Sequence, residues 1–264
     1  MNKIDEILSS RKIVTYHKIK QKNNLLKHFE LFQKEKVAVT VDDGDVSFYS
    51  YMFPLLKQSR IPAVLFIITE LIDTNKPFWW DELVYLLGDT EGEKKVWQVK
   101  GWTNNERVEY LKKLREKSDK PALEQVQLTT DQLREMQEAG VIIANHSHTH
   151  PMFDKCTAEE LKQEFHNSKA FFQKHGLAGY EYFAYPNGNS SELAERIAIE
   201  EGVKAMFLFD HKLRSNISNP YRISRLSVTD QTSINKLRFI LSGWHSKLLP
   251  FRKDIYRIVS RVRS

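Results

Sequence analysis

Three histidines spaced two residues apart are the first candidates for chemistry in this sequence. His146, His148 and His150 follow an apolar run, Val141 to Ala144, and precede Pro151. His146 and His150 are four residues apart, so one helical turn would bring both imidazoles to the same side while His148 points elsewhere. Two imidazoles on one side are candidate ligands of a divalent metal if another part of the chain supplies a third ligand.

A pair of carboxylates far upstream is the candidate for that third ligand. Asp42 and Asp43 directly follow the β-rich run Val37 to Val41, and a turn beginning at Gly44 would aim both side chains into one site. One carboxylate and two histidines leave positions open for water and substrate, and a bound metal lowers the pKa of its water from near 16 to about 7. The second carboxylate would then act as general base. Taken alone, Asp-Asp-Gly is also typical of a turn whose acids cap a helix.

Apolar strands alternate with helices along most of the chain and would position these residues. The expected strands cover 12–17, 37–41, 61–68, 141–144, 181–185, 204–209 and 222–228. The expected helices cover 129–139, 157–176, 190–201 and 233–241. Thr129 and Gln132 form a capping box for the first of these helices, and Thr157 and Glu160 form one for the second. Ser190 is expected to cap the third. Near-continuous apolar strands joined by helices indicate parallel pairing. The pattern favours a barrel-like α/β fold, with an open doubly wound sheet as the alternative.

Residues 73–128 interrupt this alternation, between the second and third barrel units, and we interpret them as an insertion rather than a second domain. Lys95 to Val99 is expected to form a strand, and Glu106 to Lys117 an exposed helix. The insertion contains Trp79, Trp80, Trp97 and Trp102. Indole faces suit sugar rings, although packing of the insertion onto the barrel is the commoner use of such residues.

Composition and charge bound the function of the chain. Its 264 residues are 41% hydrophobic, and its single cysteine excludes an internal disulfide and a multi-cysteine zinc site. Much of the net charge of +6 lies in residues 247–264, which contain six basic residues and one acid. We therefore expect one domain over residues 1–246, a basic amphipathic tail over 247–264, and no nucleic-acid partner. The tail suits an anionic membrane surface, or else a packed helix with a solvated basic face.

The N-terminal residues contain acids where a signal peptide would need a clean apolar stretch. We therefore expect the protein to be cytoplasmic, peripheral to the inner face of the membrane if the tail binds there.

The chemical motifs, taken in order, resemble those of a known family. Thr40 to Gly44 and His146 to Pro151 closely resemble the first two motifs of the polysaccharide deacetylases, carbohydrate esterase family four, with a nodulation-factor deacetylase-like domain. Ala184 to Gly188 resembles the third motif, and the match in order and spacing runs from about Ile13 to Val228. The resemblance implies a distorted seven-stranded β/α barrel. It also implies metal-dependent hydrolysis of an N-acetyl group on an amino sugar, with release of acetate.

The resemblance also implies roles for individual residues. Asp42 would be the catalytic base, and Asp43, His146 and His150 the metal ligands. Zinc is the expected metal, and imidazole and carboxylate ligands would also accept cobalt, iron or nickel. His148 is expected to lie outside the ligand set.

Three features depart from the family's pattern. No arginine precedes the Pro186 turn, so either Arg222 or Arg225 is expected to pair with the base aspartate; the other interpretation of these arginines is surface charge on an edge strand. Asn187 stands where the family has tyrosine, and the backbone N–H at this turn would stabilise the oxyanion. The family's Leu-x-x-His-Asp motif, which supplies the general acid, is absent.

Several residues are therefore only candidates for the remaining tasks. The general acid would be His17, His211 or His245, and His17 is the best candidate because it leaves the strand that precedes the Asp-Asp strand. A structural, hydrogen-bonded histidine is the other interpretation of His17. Tyr185 and Trp80 are the expected substrate-binding residues.

The leading hypothesis is a hydrolase that removes an N-acetyl group from an amino sugar in a polysaccharide or a lipid-linked precursor. The alternatives are a carbohydrate-binding protein that keeps the metal site without turnover, and an amidohydrolase that acts on a non-sugar amide.

Overall fold

The computed structural model describes residues 3–248, so most of the expected tail, residues 249–264, lies outside the described residues. The strands are β1 (Ile13–Tyr16), β2 (Ala38–Val41), β3 (Ala63–Ile67), β4 (Ile142–Asn145), β5 (Tyr182–Ala184), β6 (Ala205–Phe207) and β7 (Leu226–Ser227). The helices are α1 (Lys3–Ser9), α2 (Leu25–Glu35), α3 (Phe53–Gln58), α4 (Trp79–Leu87), α5 (Asp89–Val99), α6 (Asn104–Glu116), α7 (Thr130–Glu138), α8 (Ala158–His175), α9 (Glu192–Glu200) and α10 (Ile234–Leu241). None of these helices is long and apolar enough to cross a membrane.

The seven strands form one curled parallel sheet. Their order in space is β6-β5-β4-β3-β2-β1-β7, which follows the chain without the reversal that defines a doubly wound sheet. An isolated parallel bridge between Phe207 and Ile223 brings the chain just before β7 against β6. The distorted seven-stranded β/α barrel expected from the sequence is therefore confirmed, and the open doubly wound alternative is wrong.

The two faces of the sheet carry different side chains. Strand residues such as Val39 and Leu65 pack outwards against the helices, in one cluster with Phe32 of α2. Strand residues such as Ala38, Ala144 and Phe66 face inwards and share a second cluster with α1. Because alternate strand residues share a face, the inward row is continued past the strand ends by polar residues. The inner rim at these carboxyl ends is where the chemical residues meet.

Two capping boxes expected from the sequence are present. The Thr129 side chain accepts a hydrogen bond from the Gln132 N–H at the start of α7, and Thr157 accepts one from the Glu160 N–H at the start of α8. The expected cap at Ser190 is wrong by one residue. Ser191 is the residue whose side chain accepts the Ala194 N–H at the start of α9. A serine pair leaves this choice open in sequence, since both hydroxyls suit an N-cap.

The segment 73–128 lies between β3 and β4 and contains α4, α5 and α6. The strand expected over Lys95 to Val99 is wrong, because these residues form the end of α5. Val96 and Val99 have helical spacing as well as β-branched side chains, and they pack in a cluster with Leu83 of α4 and Leu111 of α6. This packing overrides the local preference for a strand.

Candidate metal centre and active site

Asp43, His146 and His150 converge at the inner rim of the barrel. Asp43 Oδ1 lies 3.3 Å from His146 Nε2 and 3.4 Å from His150 Nε2. Metal bonds of about 2.0–2.2 Å at tetrahedral angles place ligand atoms about 3.4 Å apart, so both distances suit ligands of one zinc-like ion. One atom from each residue lies within 4.8 Å of the others, so this group could hold a metal.

The ring of His146 is oriented by the backbone of β5. Its Nδ1 lies 2.8 Å from the carbonyl oxygen of Ala184, which only accepts hydrogen bonds, so Nδ1 carries the proton. In the neutral ring, Nε2 is then the atom with the free lone pair that a metal needs, and it is the atom that faces Asp43. A backbone acceptor on the distal nitrogen is the usual way in which proteins fix the tautomer of a metal-binding histidine.

The histidine segment is a loop rather than the helical turn expected from the spacing. Ser147 and His150 have left-handed φ angles of 73° and 56°, so no helical turn joins His146 to His150. The carboxylate of Glu164 on α8 holds the loop by accepting the N–H groups of His148 and Thr149, each at 2.8 Å. The two imidazoles share a side because of this loop, and the helical argument for that result is wrong.

Asp42 and Asp43 reach the same site through a tight turn. Asp43 already has a left-handed φ of 73°, so the turn begins one residue earlier than expected, and Gly44 continues it with a φ of 72°. A Cβ at Gly44 would lie 3.2 Å from Ile67 Cγ2, which makes this position strained for other residues. The turn cancels the alternation of the strand, so both carboxylates face the inner rim.

Arg225 is the partner of Asp42. Its Nη1 and Nη2 donate to the two carboxylate oxygens at 2.6 and 2.9 Å, and the guanidinium is fully buried. Nη1 also lies 3.2 Å from the hydroxyls of Thr15 and Thr40. Arg222, the other candidate, is exposed and pairs with Glu195 at 3.1 Å. The interpretation of Arg225 as surface charge is therefore wrong, whereas it holds for Arg222.

The two aspartates are held ionised despite their burial. Burial alone would raise the pKa of Asp42, but the charges of Arg225 and His146 outweigh it and lower that pKa. Burial would also raise the pKa of Asp43, but hydrogen bonds from His146 and His150 hold it well below its ordinary value. Two charged carboxylates beside two imidazoles suit a cation and a proton acceptor.

A pocket of about 300 Å³ opens onto this cluster. Its wall contains Asp43, His150, His17, Asn187 and Trp80. His17 Nε2 lies 3.8 Å from Asp42 Oδ2, and its side chain is 40% exposed towards the pocket. Its ring also packs edge-on against Phe209, with 5.2 Å between ring centroids.

The other two candidate acids lie elsewhere. His211 packs edge-on against Phe209, the residue that His17 also contacts, with 4.5 Å between the ring centroids of His211 and Phe209. His245 follows α10 and contacts Phe239. Neither residue lines the pocket, whereas His17 does. His148 also lies outside the cluster, as expected, and its Nδ1 is 2.9 Å from the Thr69 hydroxyl.

Asn187 follows β5 in a tight turn and faces the insertion. Its backbone has a left-handed φ of 53°. Its side-chain oxygen accepts a hydrogen bond from Lys100 Nζ at 2.7 Å. Lys100, which also lines the pocket, was not among the residues expected at the site. No sequence signal pointed to it, because it follows a helix of the insertion whose approach to the barrel depends on tertiary packing.

Trp80 is the tryptophan of the insertion that lines the pocket. Its ring lies 4.8 Å from that of His150 and stacks on Phe78 at 4.9 Å. Trp79 is buried, and its indole N–H donates to the His150 carbonyl at 3.3 Å. Trp97 is 73% exposed and lies over Lys100, with Nζ 4.7 Å from the ring centroid. The tryptophans thus divide between packing and the pocket wall.

The substrate-binding role expected for the Tyr185 side chain is wrong. Only 1% of Tyr185 is exposed, and its ring packs in a core cluster with Phe153 and Phe183. Its hydroxyl lies 2.9 Å from the sulfur of Met206, which satisfies it inside the core. The residue is the last before the turn, and the side chain at this register points away from the inner rim.

Comparison with known proteins decides the family. The family model described as polysaccharide deacetylase matches residues 31–206, about two thirds of the chain. The chain belongs to the polysaccharide deacetylase family. The resemblance found in the motifs and the expectation of a deacetylase enzyme are both confirmed. No curated protein sequence matches this polysaccharide deacetylase.

Solved structures share the fold of this polysaccharide deacetylase at low sequence identity. A deacetylase from Streptococcus pyogenes, PplD in complex with acetate, is 16% identical, with a TM-score of 0.59 over 87% of this chain and 97% of that one. A de-N-acetylase from Aggregatibacter actinomycetemcomitans is 18% identical, with a TM-score of 0.62 over 87% and 98%. IcaB from Ammonifex degensii is 17% identical, with a TM-score of 0.62 over 88% and 97%.

Proposed function

We propose that this protein is a metal-dependent hydrolase that removes an N-acetyl group from an amino sugar. The observation that carries the proposal is the arrangement of Asp43, His146 and His150 beside an aspartate, Asp42, that is held by a buried arginine. In this arrangement Asp43 belongs to the candidate metal site, while Asp42 is free to act as the candidate base.

Asp43, His146 and His150 would hold the metal through one carboxylate oxygen and two Nε2 atoms. When bound, a divalent ion would polarise the amide carbonyl and lower the pKa of water in the site. The spacing of the three atoms and the protonated Nδ1 of His146 support this ligand set. Zinc suits these ligands, and cobalt, iron or nickel remain acceptable.

Asp42 would accept the proton of the attacking water at a carboxylate oxygen. Arg225 keeps the Asp42 carboxylate charged and fixes its plane, so that the base is ionised at neutral pH and correctly turned. The oxygen of the water would bond to the carbonyl carbon, and the C–N bond would break to give acetate and a free amine.

His17 would donate a proton to the leaving amine. Its position at the pocket wall, 3.8 Å from Asp42, supports this role. The backbone N–H of Asn187 would donate to the developing oxyanion, and Trp80 would pack against the sugar ring. All three residues line the same pocket as Asp43.

Release of acetate from N-acetylglucosamine oligomers with added zinc or cobalt tests the proposal. Binding without turnover across a panel of such sugars would instead support a carbohydrate-binding protein, and turnover of simple acetamides or formamides alone would support a non-sugar amidohydrolase. The placement of His17 at the pocket supplies a candidate general acid and so argues against the binding-only alternative.

We further propose that the substrate is a precursor in envelope polysaccharide assembly and that the protein is cytoplasmic and peripheral to the inner membrane face. The basic composition of residues 247–264 supports this location. Deletion of these residues is expected to release the protein from anionic lipid vesicles. Unchanged partitioning of the shortened protein would contradict the membrane role without affecting the deacetylase proposal.

A further inference from the structure

A second cavity, of about 710 Å³, lies beside the active-site pocket, between the insertion and the barrel. Phe78, Trp80 and His150 line both spaces. The volume lies within the range of about 300–1,000 Å³ that small-molecule sites occupy. A substrate whose acetamido group lies at Asp43 would therefore extend past Trp80 into this cavity.

The wall of the cavity is largely apolar, and most of its charges are paired. Glu70 pairs with Lys76 at 2.9 Å, and Glu82 pairs with Arg115. Glu124 is exposed at the rim. The apolar part of the wall includes Ile68, Leu71, Phe78, Trp79, Leu111 and Leu123. One cation, Arg107, remains in the wall after these pairs are counted.

Arg107 is a buried guanidinium without a carboxylate partner in residues 3–248. It is only 5% exposed, and its Nη2 donates to Asn104 at 2.8 Å. Its Nε has no hydrogen-bond partner in the described part of the chain. The guanidinium also lies over the Trp79 ring, with Cζ 5.3 Å from the centroid. An unpaired buried charge is costly, and a guanidinium group that lines a cavity suits an anionic ligand.

The nearby carboxylate that interacts most strongly with this cation is already committed. Burial lowers the pKa of Arg107, and the negative charge of Glu164 opposes this effect more than any other nearby charge. Both oxygens of Glu164 serve the histidine loop, accepting from the N–H groups of His148 and Thr149 and from the Thr149 hydroxyl. Glu164 therefore reduces the cost of the buried cation without satisfying its free N–H.

We propose that this cavity binds an acidic group of the substrate, a phosphate or a carboxylate next to an apolar or sugar moiety, with Arg107 as its anchor. The proposal rests on the proposed function only in taking the bound molecule to be the one deacetylated at Asp43. Lys76 and Arg115 have carboxylate partners and are not the anchor.

Calorimetric binding of matched ligands tests the anchor without any turnover. Hexyl phosphate and hexanoate are expected to bind the full-length protein at least about tenfold more tightly than hexanol, since a charge-assisted hydrogen bond contributes about this factor. Arg107→Gln is expected to remove the preference for the anions, while Arg115→Gln, on the same wall, changes it less than about threefold. Equal binding of the three ligands by the wild-type protein, or equal losses in the two variants, would overturn the proposal.

The variants also separate binding from folding. Thermal unfolding of Arg107→Gln shows whether the change damages the fold, and Arg107→Lys, which keeps the charge, is expected to retain part of the anion preference. If Arg107→Gln does not fold, the comparison of charged and neutral ligands in the wild-type protein decides. Anion binding without deacetylation of any sugar would refute the proposed function and leave this site standing.

Two substrates distinguish the sources of the acidic group. N-acetylglucosamine with an alkyl phosphate at its reducing end represents a lipid-linked precursor, and a disaccharide of N-acetylglucosamine and a uronic acid represents an acidic polymer. The acidic substrate of the correct class is expected to have a kcat/KM about tenfold higher than that of the neutral disaccharide. Arg107→Gln is expected to abolish this advantage. No advantage for either acidic substrate would contradict the assignment of the cavity to the substrate.

Discussion

Arg225 and Asp42 are 183 positions apart in sequence and form a two-pronged, fully buried ion pair, with N–O distances of 2.6 and 2.9 Å. The pair connects the chain just before β7 to the end of β2, across β1, which lies between those strands. It also takes up hydrogen-bonding positions on both carboxylate oxygens. The orientation of the candidate base is thus set by the last strand of the barrel.

Arg225→Lys is expected to reduce kcat/KM about 10- to 100-fold, because an ammonium group cannot bind both oxygens and the loss of a charge-assisted hydrogen bond costs about 1.5–3 kcal/mol. The pKa of Asp42 should rise, so the acidic limb of the pH profile of kcat/KM should move to higher pH. Arg222→Lys, at the exposed pair with Glu195, is the matched control and should change neither quantity. An unshifted acidic limb in Arg225→Lys would show that Asp42 is not the base.

His146→Ala is expected to lose bound metal, because it removes one of three candidate ligand atoms. Occupancy by elemental analysis of the purified protein should therefore fall from about one ion per chain towards zero. His148→Ala, two residues away on the same loop, should keep the wild-type occupancy. Equal occupancy in the two variants would mean that the spacing of His146 has been misinterpreted.

His17→Gln is expected to lower kcat by about 10² to 10⁴, the usual contribution of a general acid, with metal occupancy unchanged. The alkaline limb of the pH profile of kcat should also disappear. His211→Gln is the control, because the His211 ring also packs on Phe209 but does not line the pocket. If the two variants lose the same small amount of activity, His17 supports the packing of Phe209 and another group protonates the amine.

His150 should make the metal-free protein less stable in acid. Burial lowers the pKa of His150 from 6.5 to about 4 in the folded chain. Between these two values the unfolded chain binds the proton and the folded chain does not, so stability falls with falling pH by up to about 3 kcal/mol. Burial would lower the pKa of His146, but Asp43 and Asp42 raise it. The stability that His146 contributes is therefore complete below pH 6.5 and is lost only at higher pH.

Urea unfolding of chelator-treated protein between pH 4 and 6.5 measures this slope. His150→Asn should flatten it, while His166→Asn, on the exposed surface of α8, should leave it unchanged. Identical slopes in the wild-type protein and His150→Asn would place the acid sensitivity in another group.

The fold and the centre of the site were predictable because they depend on local patterns. Continuous apolar runs such as Ala63–Ile67 specify buried parallel strands, and polar residues at strand exits meet at one rim in any parallel barrel. His146, His150 and the pair of Asp42 and Asp43 were found in this way, although the loop that aligns the histidines was mistaken for a helical turn. The choice of Asp43 as the metal ligand came from the family resemblance. Left-handed residues such as Ser147 leave no clear mark in the sequence.

The periphery of the site depends on tertiary packing, so local sequence patterns predicted it wrongly or did not predict it. Tyr185 stands in a motif but is buried, because its register turns the side chain into the core. Lys100 and Arg107 belong to an insertion whose helices pack by their apolar faces, and no local pattern reports where their charged ends lie. Asp42 had two possible arginine partners, and only the three-dimensional pairing of β1 with β7 distinguishes them.

The central claim is that the Asp43, His146 and His150 cluster and Asp42 together deacetylate an amino sugar. Acetate release from N-acetylglucosamine oligomers, compared between the wild-type protein and Asp42→Asn at equal measured metal occupancy, tests it most directly. The wild-type protein should release acetate and free amine in equal amounts, and Asp42→Asn should keep its metal but lose at least about 10²-fold in rate. Equal rates in the two proteins, or no acetate from the fully metal-loaded wild-type protein on any N-acetylated sugar, would contradict it.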